Sequence, residues 1–341
     1  MTILLVSPNW LGDAVMALPA AADVRRHERT SRLAVAARSG VAELWSMVPG
    51  VDEVVTLRHG RGLERWAALR EGAERLRAIG ADAAILLPHS LQSALTARRA
   101  GVSERWGYRR GLRGLLLTRA VPAPRGRLHQ ADYYRHLVGA LGFPNGDRVP
   151  RLDVPPAVTA AARELLAAQG WPPGVPLLGI APGAAYGGAK RWPAERFAAV
   201  AAALARSHGL QPVIVGSAGD RGTACAIEAE LGKINSSGAR PPLNLAGRTG
   251  LAQLAGVLAT CAACVSNDSG AMHLAAAVGT PVVALFGATD ERVTAPLAAR
   301  ARVLTADAWC RPCLLRECPL DHRCMLGLEA GAVAAAVGEL L

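Results

Sequence analysis

The sequence predicts an α/β protein made of two Rossmann-like, doubly wound domains. Three observations carry this. Short apolar runs alternate with helical patterns along the first half of the chain; the alternation stops in a Pro-, Gly- and Asp-rich stretch; then it starts again. Strand–helix alternation implies a parallel sheet covered on both faces. With 341 residues, the chain is long for one core and ample for two. Two domains of similar size facing a central cleft satisfy the pattern, as does another two-domain α/β arrangement.

The elements follow in order. "TILLVS" (2–7) reads as a strand and "LGDAVMALPAAADVRRH" (11–27) as one helix. "RLAVAA" (32–37) and "DEVVTL" (52–57) are strands, "GLERWAALREGAERLRAI" (62–79) has apolar residues at helical spacing, and "DAAILLP" (82–88) is a fourth strand. "FPNGDRVPRLDVPP" (143–156) is the linker candidate, which divides the chain into domains at 1–150 and 151–341. Five more strands follow: "PLLGIAP", "PVIVGS", "LNLAG", "ACVSND" and "PVVALFG".

Composition narrows the partners. Hydrophobic residues make up 51% of the chain, which argues against disorder. The longest apolar stretch, 271–288, is interrupted by His273, Gly279 and Pro281 and reads as helix–turn–strand, not a membrane span. "MTILLVSPNW" has no basic region ahead of its apolar run, so no signal peptide is expected. The formal charge, 38 − 27 = +11, favours an anionic partner: a nucleotide, an acidic membrane surface or nucleic acid. Nucleic acid ranks last, because no zinc-finger, RRM or KH signature occurs. All the basic residues but Lys190 and Lys233 are Arg. A Lys in a suggestive place is therefore informative, since a compact ammonium fits where a guanidinium fork does not.

In an open parallel sheet, ligands sit outside the carboxyl ends of the strands. Three post-strand loops carry suitable chemistry. In "SPNWLGDAV", Gly12 permits a tight turn and Asp13 starts a helix; Asp13 is either a carboxylate facing the helix dipole or a general base. In "APGAAYGGAKRWP" (181–193), three glycines, Gly183 among them, let backbone N–H groups approach an anion, Lys190 adds a mobile charge, and Pro193 opens a helix. In "SNDSGAMHLAAAVGTPVVALFG" (266–287), Asp268 or Ser269 caps a helix beginning near Gly270. His273 lies one turn in, on the same face, beside the anion-binding N–H groups of the first turn. The dinucleotide fingerprint G-x-G-x-x-G is missing, which disfavours a nicotinamide dehydrogenase.

Together these three stretches resemble the ADP-heptose:lipopolysaccharide heptosyltransferase family, glycosyltransferase family 9, and within it the heptosyltransferase II branch. The resemblance implies the GT-B fold, with an N-terminal acceptor-binding domain and a C-terminal nucleotide-sugar-binding domain. It implies an inverting transfer of heptose from ADP-L-glycero-D-manno-heptose to a lipopolysaccharide inner-core acceptor, at the inner face of the inner membrane. Asp13 matches the family's catalytic base. Lys190 matches its phosphate-binding Lys, and Asp268, Ser269, Gly270 and His273 match its diphosphate-contacting turn. Asp220 is the candidate ribose contact, and Gly247 lies where the family seats adenine. The partners implied are the ADP-sugar, an anionic glycolipid and a peripheral membrane surface, without nucleic acid. Arg109, Arg110 and Arg113, in the Arg-rich stretch 105–137, are the candidate acceptor contacts; a merely solvated Arg face is the competing reading, and His129 nearby reads as structural. No Asp-x-Asp occurs, so no metal-held diphosphate and no cofactor are expected. A family-9 transferase for another nucleotide sugar, or a non-catalytic nucleotide-sugar-binding protein, would share many of these features.

Cys225, Cys261 and Cys264 lie in apolar segments and read as small buried hydrophobes. Cys310, Cys313, Cys318 and Cys324 form a compact C-x2-C-x4-C-x5-C tail. Its spacing permits a structural zinc site, but the second pair lacks knuckle spacing, and free structural thiols are the preferred reading. The resemblance assigns the tail no role.

Overall fold

The computed structural model describes residues 1–58, 60, 62, 64–234 and 240–341. The chain divides into two compact units, Met1–Asp153 and Val154–Leu341.

The first unit holds a six-stranded sheet of β1 (Thr2–Val6), β2 (Arg32–Arg38), β3 (Glu53–Leu57), β4 (Ala83–Leu86), β5 (Glu104–Tyr108) and β6 (Arg119–Val121). All pairings are parallel, in the order β3-β2-β1-β4-β5-β6. Leu4 of β1 is paired with Ala34 on one side and Ala84 on the other, so small and large side chains alternate across the centre. Leu4, Val6, Ala36, Leu86, Leu76 and Ile79 form one buried cluster between sheet and helices. The helix expected over 62–79 is observed over Glu64–Ile79, and Leu63 lies outside the described residues. The single helix expected over 11–27 is two, Leu11–Met16 and Leu18–His27. The cause is Pro19, which has no N–H to continue the first helix and suits the first turn of the second.

The second unit repeats this plan with β7 (Leu177–Ala181), β8 (Gln211–Ile214), β9 (Leu243–Asn244), β10 (Ala263–Asn267), β11 (Val282–Phe286) and β12 (Ala301–Thr305). The order is β12-β11-β10-β7-β8-β9, again all parallel. Counted within its own unit, each sheet therefore has the order 3-2-1-4-5-6. Val265, Val283, Leu178, Ile180 and Phe197 are buried in its core. The Ala- and Gly-rich composition serves close helix approach. A Cβ on Gly256 would fall 2.7 Å from the Cβ of Ala162 in the helix Pro156–Ala168. Cys261 and Cys264 are buried, as expected, but Cys225 is exposed, because it lies on the outer side of the helix Arg221–Ile234.

This topology locates the functional loops. Connections reverse direction between β1 and β4 in one unit and between β7 and β10 in the other, and ligands bind outside the carboxyl ends at such switch points. Among the described residues, no helix is long and apolar enough to cross a membrane.

Candidate functional site

Two sites emerge, one at each switch point. In the first unit the loop after β1 is rigidly placed. Ser7 Oγ accepts from the buried Trp45 indole at 2.7 Å and donates to the Pro8 carbonyl at 2.8 Å. The chain then enters the helix Leu11–Met16, with Asp13 in its first turn; Gly12 is helical there and is not the hinge of a tight turn. Asp13 borders a cavity of about 520 Å³ whose walls include Trp10, His89, Arg110, Tyr133 and Tyr134. Burial, and then the Asp13 charge, push the Tyr134 phenol up, so this hydroxyl stays protonated beside the carboxylate. His89, just beyond β4, is held below its ordinary value by burial and by the Arg113 and Arg110 charges. Its Nδ1 is buried, with no hydrogen-bond partner among the described residues.

The three arginines expected to dock an acceptor separate. Arg110 lines the Asp13 cavity. Arg109 is exposed but does not line it. Arg113 requires correction: only 2% exposed, it donates to the Tyr108 carbonyl at 2.9 Å and the Leu86 carbonyl at 3.0 Å. Burial lowers it to about 10. Its guanidinium ties together the carboxyl ends of β4 and β5, out of reach of an incoming ligand. Arg113→Ala should therefore act on stability, costing about 2–4 kcal/mol through two orphaned carbonyls and a cavity. Denaturant unfolding checks this; an unchanged midpoint with a raised acceptor KM would restore the docking role. His129 caps the helix Gln130–Ala140, accepting from the Ala131 N–H at 3.2 Å, a structural duty.

In the second unit the loops after β7 and β10 converge. Lys190 ends a short 3-10 turn, Gly188–Lys190, and its ammonium lies 2.5 Å from Asp268 Oδ2. The same oxygen accepts from Thr289 Oγ1 at 2.6 Å, just past β11. Both charged side chains are largely buried, at 11% and 6% exposure. Lys190 is thus held in place, not mobile. Asn267, fully buried at the end of β10, locks the two loops together by donating to the Pro182 carbonyl at 2.7 Å and accepting from the Trp192 N–H at 3.2 Å. Pro193 occupies the N-cap of the helix Ala194–His208, one position earlier than expected.

Ser269 occupies the N-cap of the helix Gly270–Ala277, but its side chain makes no capping bond. The hydroxyl turns instead toward Ser266 Oγ, at 3.2 Å. Of the two expected caps, Ser269 makes no side-chain bond to the helix and Asp268 Oδ2 is turned to Lys190 and Thr289, so the first turn of the helix lies beside the Lys190–Asp268 pair. His273 is buried, one turn further in. Gly183, Asp220 and Gly247 are also brought together. Asp220 Oδ2 accepts from the Ser217 N–H at 2.8 Å and hydroxyl at 2.7 Å, and a Cβ on Gly183 would lie 2.6 Å from that oxygen. Gly247 has φ +68°, and a Cβ there would lie 2.7 Å from Ala218 Cα. Only glycine suits either position.

Thr289 and Asn267 escape a reading of the sequence. The buried Asn closing an apolar strand is the one signal that could have exposed them. The tail cysteines are free thiols. Burial first, and then the neighbouring Cys310, Cys313 and Cys318, push the Cys324 thiol up. Among the described residues, no group of three or more His, Cys, Asp or Glu is disposed to hold a metal ion.

Two Rossmann-type units, one presenting a carboxylate in a cavity and the other an ammonium at a helix N-terminus, have the architecture of an α/β enzyme that handles an anionic substrate. The model of glycosyltransferase family 9 (heptosyltransferase) matches residues 69–323. Lipopolysaccharide heptosyltransferase 2 of Salmonella typhimurium is 33% identical over 315 residues, covering 89% of this chain and 88% of that protein. The solved structure of E. coli ADP-heptose lps heptosyltransferase II superposes with a TM-score of 0.82 at 29% identity, over 100% of this chain and 98% of that one. A family 9 glycosyl transferase from Veillonella parvula shares the fold, with a TM-score of 0.85 at 22% identity over 99% and 96%. The chain belongs to glycosyltransferase family 9, the heptosyltransferase family, and is a glycosyltransferase.

Proposed function

We propose that the enzyme moves heptose from ADP-L-glycero-D-manno-heptose to an inner-core lipopolysaccharide acceptor, with inversion at the anomeric carbon. The observation that carries this is the buried Lys190–Asp268 pair at the N-terminus of the helix Gly270–Ala277, where Ser269 makes no side-chain capping bond. An ammonium and aligned N–H groups suit a diphosphate leaving group, whose charge grows as the bond to the sugar breaks. The names of the Salmonella relative and the E. coli structure supply the sugar and the acceptor class.

In this reading the second unit holds the donor and the first holds the acceptor. Asp13 takes the proton of the acceptor hydroxyl as its oxygen forms the new bond to the anomeric carbon. The bond from that carbon to the diphosphate oxygen breaks, and ADP departs carrying the electron pair. Lys190 and the helix N-terminus neutralise ADP, with Asp268 and Thr289 fixing the ammonium. Ser269, Gly270 and His273 complete the diphosphate turn; Gly183, Asp220 and Gly247 border the nucleoside, and Arg110 contacts the anionic acceptor. The enzyme works at the cytoplasmic face of the inner membrane, held there peripherally by its excess positive charge, and that attachment weakens with salt.

Thermal unfolding tests the donor. ADP-heptose and ADP, each at 100 times its dissociation constant, should stabilise the protein by about 2.7 kcal/mol, with little effect from UDP-glucose, GDP-mannose or NAD. A shift with a uridine or guanosine sugar alone would overturn the heptose assignment while keeping the transferase.

A further inference from the structure

The glycine-rich loop 183–190 is expected to offer backbone N–H groups to an anion, but two of its N–H groups are already taken. The Gly188 N–H donates to Glu317 Oε1 at 3.0 Å and the Ala189 N–H to the Arg316 carbonyl at 2.9 Å. A Cβ on Gly187 would lie 2.2 Å from that same carbonyl oxygen, and one on Gly188 2.5 Å from Glu317 Oε2. The two glycines therefore admit the C-terminal tail. Tyr186 joins the contact: its hydroxyl donates to the Leu314 carbonyl at 2.7 Å. Its ring lies 4.8 Å from Lys190 Nζ and 5.3 Å from Arg316 Cζ. The tail is itself anchored beside β11, with the Leu314 N–H on the Ala288 carbonyl at 2.8 Å and Arg311 on Glu291 at 2.6 Å.

We infer that the cysteine-bearing tail is a working part of the donor site. Residues 314–317 strap the loop 186–190, and Tyr186 is the positioning residue that holds the Lys190 ammonium toward the phosphates. Asp268 fixes that ammonium from one direction and the Tyr186 ring from another, so a diphosphate meets a charge already in place. The inference rests on the reading of Lys190 as a phosphate contact.

Full-length Tyr186→Leu, Tyr186→Phe, Glu317→Ala and Lys190→Ala test it by ADP calorimetry and steady-state kinetics. Tyr186→Leu and Glu317→Ala should weaken ADP by about 3- to 30-fold and raise the donor KM, with the acceptor KM unchanged. Tyr186→Phe keeps the ring and should restore most of the affinity. Tyr186→Leu should add little to Lys190→Ala, since both act through one ammonium. ADP affinity within about twofold of wild type in Tyr186→Leu and Glu317→Ala, with Lys190→Ala impaired, would overturn the strap alone. Unchanged affinity in Lys190→Ala would overturn the donor-site reading and this inference together. Equal losses in Tyr186→Phe and Tyr186→Leu, each with a lowered unfolding temperature, would reduce Tyr186 to a structural residue.

Discussion

Asp13→Ala is expected to lower kcat by about two to four orders of magnitude, the usual worth of a positioned general base. ADP affinity should stay within about twofold of wild type, because Asp13 belongs to the first unit and the proposed nucleotide contacts to the second. The fold should change little. Asp13 is half-buried in a helix whose neighbours Ala14, Val15 and Met16 carry the packing, and a first-turn carboxylate is worth about 0.3–1 kcal/mol to a helix. Asp13→Asn keeps the shape without the basicity and should be as inactive as Asp13→Ala. Turnover retained in either variant, measured as ADP release with a saturating acceptor, would remove Asp13 from the mechanism. Loss of turnover with full donor binding would eliminate the reading of a non-catalytic binding protein.

Lys190→Ala is expected to impair both binding and stability. It removes the ammonium opposite a carboxylate that is 6% exposed, leaving Asp268 Oδ2 with Thr289 Oγ1 at 2.6 Å. Breaking one half of a buried pair costs about 3–5 kcal/mol, because the remaining charge stays buried without its counter-charge. A lost charge-assisted contact to phosphate costs about 1.5–3 kcal/mol more in ADP binding. The two effects separate in Lys190→Met combined with Asp268→Leu. That double variant should recover most of the unfolding temperature, since neither charge remains buried, while ADP affinity stays low. Recovery of ADP binding in the double variant would show that Lys190 serves the fold alone.

The sequence made the α/β plan legible where apolar periodicity was clean, at "TILLV", "VVALF" and the other central strands. It hid the strands where chemistry masks the period. "ERWGY" of β5 is only half-buried toward its start, "RAV" of β6 is three residues long, and "ARVLT" of β12 is an open edge. The loops carrying Asp13, Lys190 and Asp268 could be read because their residue types follow strand ends. Their couplings could not be read: Lys190 and Asp268 are 78 positions apart, and only the fold pairs them. Arg113 shows the converse error. In an Arg-rich stretch it looks like its neighbours, yet the 3-10 helix Gly111–Leu116 turns it inward to the carbonyls of Leu86 and Tyr108 while Leu112 and Leu115 point outward.

The hydrogen bond from Tyr186 to Leu314 spans 128 positions, and the bond from Gly188 to Glu317 spans 129. On the ribosome, the loop bearing Lys190 is therefore made long before the residues that shape it. Strands β7 to β9 can pair as they emerge, but the loop lacks its partners until residues 314–317 leave the exit tunnel. A chain stopped between Thr305 and Leu314 would carry every strand of both sheets described above and still lack the contacts that shape the 186–190 loop.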